Sequence, residues 1–297
     1  MTHSRNARRR PLTVRAKLLG WLTTARISNS PTVVSNVLVG AALAGMLQPD
    51  NQVTLLIVAM VLFYTAGMVL NDVCDYAWDQ QHRPTRPMPA GLVSRTAGMV
   101  AVVALFGVGL ALLWVSGGLT VVLSGLVLMG VIVLYDVWHK SNPFSPWIMA
   151  ACRVMVYVTA FVAFYWPLTW PLAIASFLLV LYMAGLTAIA KSEAHPSMTG
   201  YWPAAILFMG PIFYGLRGPA PESRILAVLL AGWILYSIRT VYRAEGRNIG
   251  LAIGRLIAGI SLFDALVLSS AGATASISVA LFAFGCTLVF QRYVEGT

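Results

Sequence analysis

Apolar windows of roughly 17–22 residues with few charges recur along the whole chain, and they leave it few ways to fold. They lie near 29–47, 53–71, 97–116, 119–138, 145–166, 171–190, 200–216, 223–242, 250–270 and 272–290. A backbone that enters lipid must satisfy its own hydrogen bonds, so successive stretches of this length predict membrane-crossing helices. Hydrophobic residues fill 59% of the 297 positions and charged residues only 10%. A water-soluble domain of this size needs more polar surface than that. The expected architecture is an all-α polytopic membrane protein with about ten spans. Residues 1–27 read as a basic N-terminal tail and 28–297 as a single membrane domain.

The net charge is +10, but the basic residues form no face for nucleic acid. Arg5, Arg8, Arg9, Arg10, Arg15, Lys17 and Arg26 precede the first apolar stretch, the pattern of a cytoplasmic tail on anionic lipid. Counting alternate loops from a cytoplasmic N-terminus, one side collects Arg83, Arg86 and Arg95, then Lys140, Lys191, Arg243, Arg247 and Arg292. The opposite loops carry only Arg217 and Arg224. This asymmetry predicts that both termini are cytoplasmic, and a bacterial inner or plasma membrane is the expected location. Trp166, Trp170 and Trp202 sit near predicted boundaries, as interfacial anchors do. Cys74, Cys152 and Cys286 form no CxxC and predict neither a disulfide framework nor a metal site.

Against this apolar background, residues 71–91, NDVCDYAWDQQHRPTRPMPAG, hold three aspartates, two arginines and a histidine. At about 100° per residue, Asp72, Asp75 and Asp79 fall on one helical stripe, with Asn71 at its margin. Stacked carboxylates repel one another and are costly to bury near a membrane. A hard divalent cation relieves both problems. Mg²⁺ takes oxygen ligands and commonly links one or two carboxylates to substrate phosphates. Arg83 and Arg86 follow, each able to grip phosphate oxygens bidentately. The residues thus predict a Mg²⁺-bound diphosphate at the membrane surface.

The stretch NDVCDYAWD followed by RPTRPMPAGLVS resembles the first aspartate motif of the UbiA superfamily of intramembrane prenyltransferases, NDxxDxxxD with a basic stretch and an R-P-x-P-x-G turn. RISNSPTVVSNVLVG (26–40) is similar to the family's first helix. The resemblance implies a bundle of nine helices, against the ten apolar stretches read here, around a central cavity open to lipid. It implies a transferase that moves a prenyl group from a prenyl diphosphate to an acceptor, with Mg²⁺ on the aspartate motifs. It places Asn36 facing the cavity and makes Tyr135 and Lys140, in LYDVWHKSNP, a diphosphate-binding pair. The second aspartate motif falls at TAIAKSEAHPS (187–197), where this chain departs from the pattern. Two readings stand there: Glu193 holds the second metal with Lys191 contacting diphosphate directly, or the second metal site is lost.

The expected catalytic set is therefore Asp72, Asp75, Asp79, Lys140 and Glu193, with Asn36, Asn71, Arg83, Arg86, Tyr135 and Lys191 binding substrate. The expected partners are prenyl diphosphate, an unidentified acceptor and membrane lipid. Tyr76, Trp78, Tyr135, Trp138 and Tyr157 are candidate aromatic linings for an allylic cation. A terpene cyclase of the same superfamily and a non-catalytic prenyl-lipid binding or transport protein are the competing expectations. Asp136 and Arg153 form a candidate pair one helix apart, whereas Arg255 and Asp264, nine residues apart, fall on opposite sides of one helix. The acceptor and the prenyl length have no residue signature.

Overall fold

A computed structural model describes residues 13–140, 142–192, 200–243 and 246–294. Among these residues every regular element is a helix. A short helix α1 (Val14–Thr24) and one 3₁₀ turn (Ile27–Asn29) lead into α2 (Pro31–Leu43), α3 (Asn51–His82) and α4 (Arg95–Trp138). Then follow α5 (Ser145–Val162), α6 (Trp170–Lys191), the short pair α7 (Trp202–Leu207) and α8 (Met209–Arg217), α9 (Pro221–Ile238), α10 (Ile249–Ser270) and α11 (Thr274–Phe290). Helix starts follow local chemistry. The side chains of Asp50, Ser94 and Asn248 accept from backbone N–H groups three residues on, which satisfies donors that the helix leaves open. Proline occupies the first turn of α2, α5, α6, α7 and α9, where its missing N–H costs nothing.

Six of these helices are long and apolar enough to cross a membrane, and α4 holds two crossings. Gly117 and Gly118 leave helical geometry inside it, with Gly118 at φ 67° and ψ −152°, a region open essentially to glycine alone. The chain reverses there. Gly125 of the second limb lies so close to the first that a Cβ would stand 2.3 Å from the Leu113 Cδ1. The two limbs correspond to the predicted stretches 97–116 and 119–138. With α7 and α8 sharing the stretch near 200–216, the described residues contain ten apolar segments rather than nine.

α10 is the central helix, with 78% of its most apolar window buried inside the bundle, whereas α4 is peripheral at 28%. The outward residues of α4, among them Val103, Trp114, Val115 and Val137, are apolar because their solvent is lipid. α3 has 32 residues, about 48 Å of helix, while a hydrocarbon core is about 30 Å thick. Its last turns therefore project past the apolar layer, and they carry Asn71 to Asp79. α2 packs directly on α5: a Cβ at Gly40 would meet the Tyr157 carbonyl oxygen at 2.3 Å, so only glycine permits that approach. Three helices are also tied by a buried carboxylate. Asp264 of α10, fully buried, accepts from Ser35 and Asn36 of α2 and from the Tyr157 hydroxyl of α5.

Candidate functional site

The end of α3 buries one face. Asp72, Asp75 and Asp79 are 5%, 8% and 1% exposed, while Cys74, Ala77 and Trp78 between them face out. The stripe expected from 3.6-residue periodicity is thus present, and it is turned inward.

Each carboxylate has a basic partner from a different segment. Arg86 reaches back from the loop after α3, its Nη1 3.1 Å from Asp79 Oδ2 and 3.4 Å from Asp72 Oδ1. Backbone bonds from Arg83 N–H to the Asp79 carbonyl and from Arg86 N–H to the Arg83 carbonyl turn the chain at the helix end, so Arg86 folds over it. Arg26, just before the 3₁₀ turn, places Nη2 3.6 Å from Asp72 Oδ1 and 3.4 Å from Asn71 Oδ1. Lys140, after the second limb of α4, sets Nζ 2.7 Å from Asp75 Oδ1 and 4.5 Å from the Trp78 ring. His139 Nε2 lies 3.5 Å from Asp75 Oδ2, and the hydrogen bond to that carboxylate raises the His139 pKa above its ordinary value.

Beneath the stripe lies a cavity of about 220 Å³. Its polar lining includes Arg26, Asn71, Asp136, Arg153, Tyr64 and Tyr135, and its apolar walls include Met60, Phe63, Leu128 and Ile132. A second concavity of about 370 Å³ lies between α1 and the loop after α3, bounded by Arg26, Asp72, Arg86 and Leu92. Arg26 borders both. Polar groups at one end of an apolar hollow suit a ligand with an anionic head and a hydrocarbon tail.

The donor set fits a hard cation held partly by its substrate. The carboxylates offer only oxygen, and Asp79 Oδ1 is buried without a hydrogen-bond partner. Among the described residues, no three His, Cys, Asp or Glu side chains converge as a complete metal cluster. One or two carboxylates sharing a cation with phosphate oxygens and water is the common Mg²⁺ arrangement.

The other predicted site residues are spread around this centre. Tyr135 lines the cavity and stacks on His139, with ring centroids 5.2 Å apart. Arg83 caps α3, exposed, with its guanidinium 5.7 Å above Trp78 and away from the carboxylates. Lys191 ends α6, exposed. Glu193 and His195 lie outside the described residues. Asn36 is fully buried behind the cavity wall rather than facing it. It donates to Asp264 at 2.8 Å and accepts from Arg153 Nη1 at 2.9 Å, so α2 anchors Arg153 of α5, which lines the cavity.

Asp136 and Arg153 do not pair. Asn71 takes Asp136 at 3.1 Å and Asn36 takes Arg153, because each side chain faces an asparagine on a third helix. Arg255 instead meets Tyr236, 3.0 Å from its hydroxyl and 4.1 Å above its ring. Of the candidate aromatic linings, Tyr135 borders the cavity, Tyr157 is sequestered on Asp264, and Trp138 faces outward. Phe63 and Tyr64, unnoticed in the sequence, supply aromatic faces instead. Arg26 had read as tail charge. In the sequence its signal is that it opens the stretch 26–40; in the structure its left-handed backbone, φ 42°, turns it back onto α3.

Fold and site together define a polytopic membrane protein with carboxylates and basic side chains gathered at the mouth of an apolar cavity. The sequence model of the UbiA prenyltransferase family matches residues 33–285, and the chain belongs to that family. Over 93 residues it is 44% identical to a digeranylgeranylglyceryl phosphate synthase of Methanoregula boonei, covering 30% of this chain and 32% of that protein. Over 122 residues it is 29% identical to the enzyme of the same name from Natronomonas pharaonis, covering 41% of this chain and 44% of the other. These matches span less than half the length of either relative. A solved UbiA homolog from Archaeoglobus fulgidus, bound to GPP and Mg²⁺, shares the fold with a TM-score of 0.63 at 15% identity, over 87% of this chain and 99% of its own.

Proposed function

We propose that this chain transfers a prenyl group from a prenyl diphosphate to an acceptor within the membrane, with Mg²⁺. The observation that carries the reading is the inward stripe of Asp72, Asp75 and Asp79, ringed by Arg26, Arg86 and Lys140 where the apolar cavity opens. The Archaeoglobus homolog bound to GPP and Mg²⁺ supports the same ligands here, and the two named synthases support the reaction class.

The carboxylates of Asp72, Asp75 and Asp79 would hold the metal, with Glu193, two residues beyond α6 in the sequence, as the proposed further ligand. Bound there, Mg²⁺ supplies positive charge that stabilises the departing diphosphate. Arg26, Arg86 and Lys140 already converge on this spot and bind the diphosphate oxygens directly. Tyr135 and Lys191 complete the rim. The prenyl chain lies against Phe63, Leu128 and Ile132, which exclude water from the carbon that loses the diphosphate. Tyr64 and Phe63 offer their ring faces to the developing allylic cation. Cleavage of the carbon–oxygen bond sends the electron pair with the diphosphate, and the acceptor's electron pair forms the new bond to that carbon.

The rim bears the basic loops, so the active site and the N-terminus face the cytoplasm. Radiolabelled geranyl and geranylgeranyl diphosphates, incubated with membranes containing the protein, are expected to yield a lipid product whose mass identifies the acceptor. Asp72→Ala and Asp75→Ala are each expected to lower this Mg²⁺-dependent turnover by about 10²-fold or more without loss of folded protein on size exclusion. Unchanged turnover in both variants would sink the assignment.

A further inference from the structure

Every transfer to an O–H, N–H or C–H acceptor releases a proton, and the aspartate stripe is poorly placed to take it. Asp72, Asp75 and Asp79 are each engaged by cationic side chains at 2.7–3.6 Å. Their oxygens are committed to those cations and, on the reading above, to the head of the substrate. A fourth carboxylate lies inside the cavity. Asp136, on the second limb of α4, is 3% exposed and borders the cavity beside Tyr135 and Asn71.

Its surroundings differ from those of the stripe. Asn71 donates to Oδ1 at 3.1 Å and fixes the carboxylate plane. Oδ2 is buried with no hydrogen-bond partner. No ion pair to Asp136 exists among the described residues, where Arg26, Arg86, Lys140 and His139 are all turned to the stripe. An unpaired carboxylate in a membrane-embedded cavity is costly to keep. The residue lies one helical turn before Lys140, on the cavity side of the diphosphate-binding rim. A general base needs this combination of a fixed orientation, an uncommitted oxygen, and a place in the hollow that holds the reacting carbon.

We infer that Asp136 is the catalytic base of the acceptor half-reaction, an inference that rests on the prenyl-transfer reading. As the allylic carbon–oxygen bond breaks and the diphosphate leaves with the electron pair, the acceptor atom bonds to that carbon. The proton on the acceptor atom passes to Asp136 Oδ2 and is released to water when the products leave. The acceptor is thereby a molecule with a removable proton, which excludes one that is already fully substituted at its nucleophilic atom.

The test compares wild type, Asp136→Asn and Asp136→Glu in membranes. Labelled geranylgeranyl diphosphate with Mg²⁺ is the donor and the host lipid is the acceptor pool. Binding of geranyl diphosphate, product formation and release of prenyl alcohol by water are measured in parallel. The Asn variant is expected to bind geranyl diphosphate within about twofold of wild type, yet lose transfer by about 10²-fold. Its turnover is expected to shift toward prenyl alcohol, which a merely structural role would not produce. Asp136→Glu is expected to recover at least a tenth of wild-type transfer. Should Asp136→Asn fail to bind geranyl diphosphate, the Glu variant decides: binding with transfer supports the inference, and binding without transfer overturns it. Equal transfer by wild type and Asp136→Asn overturns this inference alone. No transfer by wild type overturns it together with the reading on which it rests.

Discussion

Asn36 illustrates how a single side chain can serve a site it does not touch. It is fully buried, and its amide spans two charges, donating to Asp264 and accepting from Arg153. Asp264 gains a third donor set beside Ser35 and Tyr157, and Arg153 gains an anchor that aims it into the cavity. Substituting Asn36 by Ala leaves donors and acceptors unmet on both sides. We expect Asn36→Ala to cost about 2–3 kcal/mol, read as a lowered midpoint of thermal unfolding in detergent. Asn36→Asp, which places a second carboxylate beside Asp264, is expected to do no better. The sequence marked Asn36 by family resemblance but pointed it toward the cavity. The polar network it serves was invisible, because Ser35, Asn36, Tyr157 and Asp264 meet only across three helices separated by more than a hundred residues at each step.

At the scale of elements, α4 shows how two glycines make one hairpin. The sequence separated 97–116 from 119–138 on the strength of Ser-Gly-Gly alone, and the limbs fall there because only glycine accepts the backbone at 118. A side chain with Cβ at that position is strained whatever space surrounds it. Gly118→Val is therefore expected to destabilise the fold by about 1–3 kcal/mol, while Gly107→Ala is expected to be neutral or slightly stabilising. Gly107 lies mid-limb with open space where a Cβ would stand. Paired detergent melts of the two variants separate backbone strain from a general intolerance of substitution. The start of α3 was equally legible, whereas its last turns, to His82, run past the apolar stretch 53–71. Periodicity put its three aspartates on one side, and burial of that side followed from the charges that meet it. What the pattern could not say is which basic residue answers each acid, since Arg26, Arg86 and Lys140 arrive from three separate segments.

For the whole molecule, alternation of the helices sets the two ends of the bundle. The rim with Asp79 and Lys140 stands at one end and the Gly117–Gly118 reversal at the other. Single cysteines at the exposed positions Gln81 and Thr120, in a background lacking Cys74, Cys152 and Cys286, are expected to label from opposite sides of sealed vesicles with an impermeant maleimide. Labelling of both from one side would contradict the arrangement of α3 and α4. The central place of α10 follows from the same packing. Its window is apolar like those of its neighbours, yet only the assembled bundle shows that most of it is enclosed.

By itself the sequence determined that the chain crosses a membrane many times as helices. It also marked the break at Gly117–Gly118 and put three acids on a single face of one helix end. These follow from local rules of backbone hydrogen bonding in lipid, glycine and proline conformation, and helical period. Only the tertiary structure decided that Arg26 belongs to the site, that Asn36 stands behind the wall, and that Asp136 lies in the cavity with one oxygen unmet. Each depends on the rotation of one helix about its axis relative to another. That rotation is fixed by close contacts such as Gly40 on Tyr157 and Gly125 on Leu113, and no local window of sequence records it.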